Sequence, residues 1–331
     1  MNLAEKLQTG VPVLKQIYSF FIIISIVIIA AGCSSNGNDQ IQNAGMLVDG
    51  TIESQAWGEK GYEGLKQIGE EYDINVFLKE NITTEQEISE AVDELVYDGV
   101  NLIFGHSSIY GSYFSELAES YPDVHFVYFN GGYYSDNVTS LNFNAHAMGF
   151  FAGMVAAEMS TANQIGMISA YQWQPEIEGF FEGVKYRNPS ANVMIEFVNN
   201  WNDSETAVDL YEQMRAKGAD VFYPTGDSYS KEIIQHAKKD GIHAIGYVAD
   251  QSYIDEETVL TSTVQHVDKL YEYAAEKFNE GELEGKIMTF DFQDEVISLS
   301  EFSPSIPESF QDYMDDIIEE YIETDLLPNE G

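Results

Sequence analysis

From Ala44 onward the chain alternates short apolar runs with longer stretches of helical periodicity, and this alternation most constrains its fold. AGMLVDG, INVFLKE, NLIFGHS, VHFVYFNGG and SLNFN read as buried strands. Between them lie AWGEKGYEGLKQIGEEY, TTEQEISEAVDELVYDG and YGSYFSELAESY, whose apolar residues recur three or four positions apart. The rhythm resumes with QIGMISA, NVMIEFVNN, DVFYPTGD, HAIGYVADQ and VLTSTVQ, again separated by helical patterns. A strand that returns parallel to its predecessor needs a crossover of this length, so the expected fold is α/β with parallel sheets covered by helices on both faces. Thr83 or Thr84 with Glu87 predicts a capping box before the second helix. Near the C-terminus, FQDYMDDIIEEYIETDLLP predicts an acidic amphipathic helix with Phe310, Met314, Ile317, Ile318 and Tyr321 on one face.

The two halves echo one another. DGVNLIFGHSSIYGSYFSEL (Asp98 to Leu117) and KGADVFYPTGDSYSKEIIQH (Lys217 to His236) share a Gly, a buried strand, a polar Gly-containing loop, a Tyr and a helix. Two similar open-sheet lobes in one chain place their strand ends, and any ligand, at a shared cleft. The expected division is a first lobe over 41–144 with a returning segment near 264–288, and a second over 145–263 with about 289–331.

The chain of 331 residues is 44% hydrophobic, enough for two packed lobes, and carries 15 Lys and Arg against 56 Asp and Glu, a formal charge of −41. A uniformly acidic surface repels phosphate, so no direct nucleic-acid binding is expected. The single cysteine, Cys33, follows an apolar run from Phe20 to Ala31 that is preceded by Lys6 and Lys15. The run is short for a membrane span and fits the apolar region of a secretory signal peptide. Ala30, Ala31 and Gly32 before the lone Cys resemble a bacterial lipobox, in which the thiol is lipidated and becomes the new N-terminus. Residues 1–32 are then the cleaved signal peptide and residues 33–43 a polar tether. Cleavage removes Glu5, Lys6 and Lys15, a net +1, and leaves the mature chain at −42. With no second cysteine, disulfides are excluded, and the protein is expected on the outer face of the cell membrane.

Nothing in the sequence demands catalysis. The six histidines include no HxxxH or HExxH pair, GHSSI lacks the closing Gly of a nucleophile elbow, and GYEGLKQIG has neither P-loop nor dinucleotide spacing. Ser107 and Ser108 read as loop hydroxyls capping a helix. No cofactor or metal is expected. Binding is better supported: the strand-end loops hold Asp49, Asn130, Asp227, Asp250 and Gln251, with Trp57, Tyr110, Trp173 and Tyr229 nearby. Carboxylates and amides suit hydroxyls, and flat rings suit stacking, as a sugar or nucleoside site requires. For Trp57, core and site stay open; Trp201 reads as a surface-loop aromatic.

VDGTIESQAWGEKGYEGL, LNFNAHAMGFFAGMVAAEMS, QPEIEGFFEGVKYRNP, KGADVFYPTGD, IGYVADQ and VLTSTVQHVDK together resemble the BMP/PnrA family of solute-binding lipoproteins. The likeness runs in order from about Ala44 to the C-terminus and takes in members of the family that are tied to competence gene expression. It implies the type I periplasmic-binding fold, two Rossmann-like lobes joined by three crossovers. It also implies a purine nucleoside as ligand and an ABC permease as partner. By resemblance the first-strand Asp is Asp49, the base-stacking ring Trp57, the fourth-strand residue Asn130 where relatives have Asp, and Phe180 and Gly226 fall in the second lobe's contribution. Relatives read IGVDVDQ at the strand whose first Asp grips the ribose; here that position is Val248, and Asp250 matches the second Asp, a turn-scaffold residue. The Lys that follows TS in relatives is here Gln265. The implied function is solute binding with an altered ribose grip. The alternative is a regulatory lipoprotein that has lost transport and nucleoside binding.

Overall fold

The computed structural model describes residues 40–53 and 56–331. The expected signal peptide and Cys33 lie outside the described residues. Two six-stranded sheets carry the fold. The first contains β1 (Asn43–Leu47), β2 (Asn75–Lys79), β3 (Leu102–Gly105), β4 (His125–Phe129), β5 (Val138–Phe143) and β11 (Ile287–Phe290), all parallel, in the order β11-β5-β4-β3-β1-β2. The second contains β6 (Gln164–Ser169), β7 (Asn192–Phe197), β8 (Val221–Thr225), β9 (His243–Val248), β10 (Val259–Gln265) and β12 (Ile297–Leu299), in the order β12-β10-β9-β8-β6-β7. Here only the edge strand β12 runs antiparallel.

The two orders are the same when each sheet is numbered from its own first strand, which is the structural content of the sequence echo. Its two copies are β3 with α3 (Tyr110–Leu117) and β8 with α7 (Tyr229–Asp240), the third unit of each sheet. The remaining helices are α1 (Ala56–Glu71), α2 (Glu85–Tyr97), α4 (Ala145–Met159), α5 (Glu176–Arg187), α6 (Ser204–Ala216), α8 (Val267–Glu280) and α9 (Glu308–Thr324). Strands β11 and β12, four and three residues long, were not legible as strands in the sequence.

Alternation along the strands sends side chains to different cores. Leu47 and Ile103 join Ile88, Val92 and Phe114 under α2 and α3, while Met46, Leu102 and Phe104 face the opposite layer with Leu65 of α1 and Tyr271 of α8. Ile168 and Phe222 pack with α6 and α7 on the outside of the second sheet. The capping box forms at Thr84, whose hydroxyl accepts from Glu87 N while the Glu87 carboxylate takes the N–H groups of Thr83 and Thr84. Those bonds hold the exposed Glu87 carboxyl well below the usual range, to about 2. At α3 the expectation fails: Ser107 and Ser108 give no side-chain cap, and only their carbonyls accept, from Tyr110 N and Gly111 N.

The chain passes between the sheets three times, through α4, through α8 and through residues 291–296. A polar knot ties the first and third of these passages together. Asn144 caps α4 and donates through Nδ2 to Asp291, and the Tyr321 hydroxyl of α9 donates to Asp291 Oδ2 at 2.6 Å. Asn144 Nδ2 also donates to that hydroxyl at 3.0 Å. The C-terminal helix buries Phe310, Met314, Ile317 and Tyr321, and so clamps the junction of two crossovers. Tyr321→Phe removes a donor from the buried Asp291 and is expected to lower unfolding free energy by about 1–3 kcal/mol, read from the urea midpoint. An unchanged midpoint would show that the knot is not a structural tie.

Candidate functional site

In open α/β sheets the C-terminal strand ends diverge where the strand order reverses, and side chains there face an empty crevice. The reversals here fall between β1 and β3 and between β6 and β8. A cavity of about 380 Å³ opens at both, lined from the first sheet by Asp49, Trp57, His106, Asn130 and Asn142 and from the second by Trp173, Glu176, Trp201, Asp227, Tyr247 and Val248. Phe143, Ala145, Gln265 and Thr289, at or beside the crossovers, complete its lining.

Five of the seven residues singled out from the sequence therefore meet here: Asp49, Trp57, Asn130, Val248 and Gln265. Two do not. Phe180 is fully buried on α5 and packs on Tyr223 at 5.0 Å between ring centroids. Gly226 lies behind the cavity wall, where a Cβ would stand 1.9 Å from the Tyr229 ring, and the neighbouring Asp227 faces the cavity instead. Trp201 is not the free surface aromatic expected: it meets Tyr171 and Trp173 edge-on at 5.4 and 5.9 Å, and Tyr171 stacks on Trp173 at 5.4 Å. Asp250 is exposed and caps its own turn through Ser252, and the buried Gln251 binds Tyr247 N and Ser230 Oγ. Both hold the turn outside the cavity.

Trp57 is fixed by a reciprocal pair with His106. The indole Nε1 donates to the His106 carbonyl at 3.0 Å, and His106 Nε2 lies 2.7 Å from the Trp57 carbonyl. A carbonyl only accepts, so Nε2 carries the proton and Nδ1 accepts from the Tyr271 hydroxyl at 3.0 Å. Complete burial lowers the imidazole to about 3, so His106 is neutral at any ordinary pH. The two rings stack at 4.6 Å, with Phe129 and Phe143 edge-on to the indole. The one signal for His106 in the sequence was its place at a strand end.

Asp227 joins the two sheets. Its Oδ1 accepts from Trp57 N at 3.1 Å, at the positive end of α1, while its own N–H donates to the Trp201 carbonyl. Burial pushes its carboxyl up to about 6 and Asp49 adds to this, against the opposing pull of the Ala56 and Trp57 N–H groups and of Lys231. Glu176 is also buried and raised by burial; Gln174 Nε2 and the Tyr247 hydroxyl both donate to its Oε1 at 2.9 Å.

Val248 has φ = +68°, and the Ala249 N–H closes a three-residue turn on the Tyr247 carbonyl at 2.8 Å. A β-branched side chain in this region is an outlier that costs about 1–3 kcal/mol. Asn and Asp tolerate it far better. The backbone at this position thus has a shape suited to Asn or Asp while carrying Val. Val248→Asn is expected to leave stability unchanged or raise it by up to about 1 kcal/mol by relieving this strain. The same exchange at Val127, buried in β4, is expected to cost several kcal/mol. Equal losses at the two positions, compared by thermal melting, would refute strain at Val248.

Among the described residues no three or more His, Cys, Asp or Glu side chains cluster to hold a metal ion, and no helix is long and apolar enough to cross a membrane. Comparison with known proteins agrees with this architecture. The chain is 46% identical over 307 residues to the transcriptional activator protein Med of Bacillus subtilis strain 168, covering 92% of this chain and 97% of that protein. It is 24% identical over 297 residues to basic membrane protein D of Borreliella burgdorferi, covering 86% of each. The crystal structure of a transcriptional activator of the comK gene from Bacillus halodurans superposes with a TM-score of 0.80 at 45% identity, over 86% of this chain and 99% of that one. An ABC-transporter solute-binding protein from Aeropyrum pernix K1 shares the fold at a TM-score of 0.70 and 20% identity, over 86% and 81%. Residues 41–328 match the family described as ABC transporter substrate-binding protein PnrA-like, and the chain belongs to that family of solute-binding proteins.

Proposed function

We propose that the protein is a lipid-anchored, extracytoplasmic solute receptor that closes its two lobes on a small ligand and performs no covalent chemistry. The observation that carries this reading is the cavity of about 380 Å³ at the reversals of both sheets, of a size and lining suited to a small molecule. Each lobe is organised on one sheet, and the expected division near 41–144 plus 264–288 and 145–263 plus 289–331 shifts by two residues so that β10 stays whole in the second lobe and β11 in the first, with the three crossovers as the hinge. The ligand-binding set is Asp49, Trp57, Asn130, Val248 and Gln265, joined by Glu176 and Asp227. With Val248 and Gln265 in place of the charged groups of nucleoside-binding relatives, the nucleoside grip is weakened. Loss of one charged hydrogen bond alone lowers affinity about ten- to hundredfold.

A second reading is favoured by the relatives at 46% and 45% identity, both named as transcriptional activators. In it the solute-loaded receptor signals to gene expression from the membrane, without an ABC permease and without touching DNA, given the charge of −41. Both readings require the anchor. Cys33→Ala is expected to shift the protein from the detergent phase to the aqueous phase on cell fractionation, or to leave it unprocessed, because two or more acyl chains anchor stably. Full activity from a Cys33→Ala protein retained in the cytosol would overturn both. Loss of a solute's uptake on deletion supports transport, and loss of a transcriptional response with uptake intact supports the regulatory role.

A further inference from the structure

We infer that the solute of this cleft is a small organic cation with a flat or methyl-rich apolar body, an inference that rests on the reading of the cleft as a solute site. Glu176 and Asp227 face the cavity with only 3% and 8% of their surfaces exposed. A buried carboxylate is ordinarily matched by a cation. Neither of these takes part in an ion pair formed among the described residues. Their hydrogen bonds come from neutral donors: Gln174 Nε2 and the Tyr247 hydroxyl for Glu176, and backbone N–H for Asp227.

The cavity supplies no counter-charge either. Asp49 lines it, and among the described lining residues none is Lys or Arg, while the one imidazole, His106, is held neutral. Lys231 acts on Asp227 from the exposed side of α7 and does not line the cavity. Burial works against the charged forms of both acids, and a ligand cation would restore the match.

The rest of the wall suits the same class. Trp57, Phe143, Trp173, Trp201 and Tyr247 surround the acids, and the faces of such rings attract cations most strongly where water is excluded. A nucleotide, phosphate or carboxylate would enter against three acids. A neutral nucleoside would leave Glu176 and Asp227 unmatched.

The test uses the soluble chain from residue 34 onward, since residues 41–331 form one compact unit. Calorimetric titration compares two cations with their neutral counterparts: 1-methyladenosine with adenosine, and choline with 3,3-dimethylbutanol. The expected result is at least tenfold tighter binding of the cation in one or both pairs, and at least a tenfold loss of that preference in Glu176→Gln and in Asp227→Asn. Melting curves confirm that each variant is folded, and Glu176→Gln, nearly isosteric, keeps the test alive should Asp227→Asn misfold. Neutral ligands binding as tightly as the cations, or variants that keep the preference, would overturn the cation class and leave the solute site standing. If none of the four binds and a thermal-shift screen finds a neutral or anionic ligand, the cation class fails alone. If that screen finds no ligand at all, the solute reading fails with it.

Discussion

Replacing Gly183 by Ala is expected to destabilise the protein by about 3 kcal/mol or more, as overpacking against backbone does when neither side can yield. Helices α4 and α5 carry the repeated patterns GFFAG and GFFEG, and Gly149 and Gly153 meet the α5 backbone at Glu176 and Phe180 while Gly179 and Gly183 meet the α4 backbone at His146 and Phe150. A Cβ on Gly183 would lie 1.9 Å from the Phe150 carbonyl oxygen, and one on Gly179 2.0 Å from that of His146. The obstacle is helical backbone in a filled core: Phe150, Phe151 and Met154 of α4 are fully buried, so α4 has no room to retreat. Separating the helices would also displace Glu176 at the start of α5 and reshape the cleft. Gly132→Ala, where nothing lies within 4 Å of the added carbon, is expected to stay within about 0.5 kcal/mol of the native protein. A loss under about 1 kcal/mol for Gly183→Ala, by urea titration, would contradict the close crossing.

Asp227→Asn is expected to make the protein more stable at pH 8, by about 2–3 kcal/mol, and to flatten its pH dependence. Burial raises the Asp227 carboxyl to about 6, above its ordinary value of 3.8. The folded state therefore binds the proton more tightly than the unfolded chain. The stability this contributes is full below about pH 4 and is lost as pH rises through about 6. Asparagine has no such proton to lose, and its Oδ1 can still accept from Trp57 N. Stability curves from pH 4 to 8 should thus converge at the acid end and separate at the alkaline end. A variant less stable than the native protein at pH 8 would show that the ionised carboxylate holds α1 better than burial opposes it. Stabilisation with loss of ligand is the behaviour of a group kept for binding at a cost to folding.

The sheets were legible because parallel strands buried on both faces read as unbroken apolar runs, and ten of them stood out between helical patterns. Strands β11 and β12 escaped because four and three edge residues are too few to carry a periodicity, and in β11 Ile287 and Thr289 are moreover exposed. At the site, residues that follow strands of the first sheet could be placed from sequence order, hence Asp49 and Asn130. Phe180 could not, because a residue four positions into a helix faces wherever the helix axis directs it, and α5 turns Phe180 onto Tyr223. Trp201 and His106 join the site through partners 28 or more positions away, Trp173 and Trp57, and nothing local announces such contacts. The positive φ of Val248 was hidden for a different reason. Valine is a residue from which no one infers a left-handed turn, and the turn persists because the surrounding strand ends impose it.

The most direct measurement is calorimetric titration of the soluble chain from residue 34 onward, native and Val248→Asp, with adenosine, guanosine and inosine. On the proposed reading the expected result is no sub-micromolar binding by the native protein and a measurable gain in the Asp variant, because Val248 lines the cavity without an acceptor for a sugar hydroxyl and Asp would supply one. Sub-micromolar binding of a neutral nucleoside by the native protein would contradict this, and would make the cleft an ordinary nucleoside site.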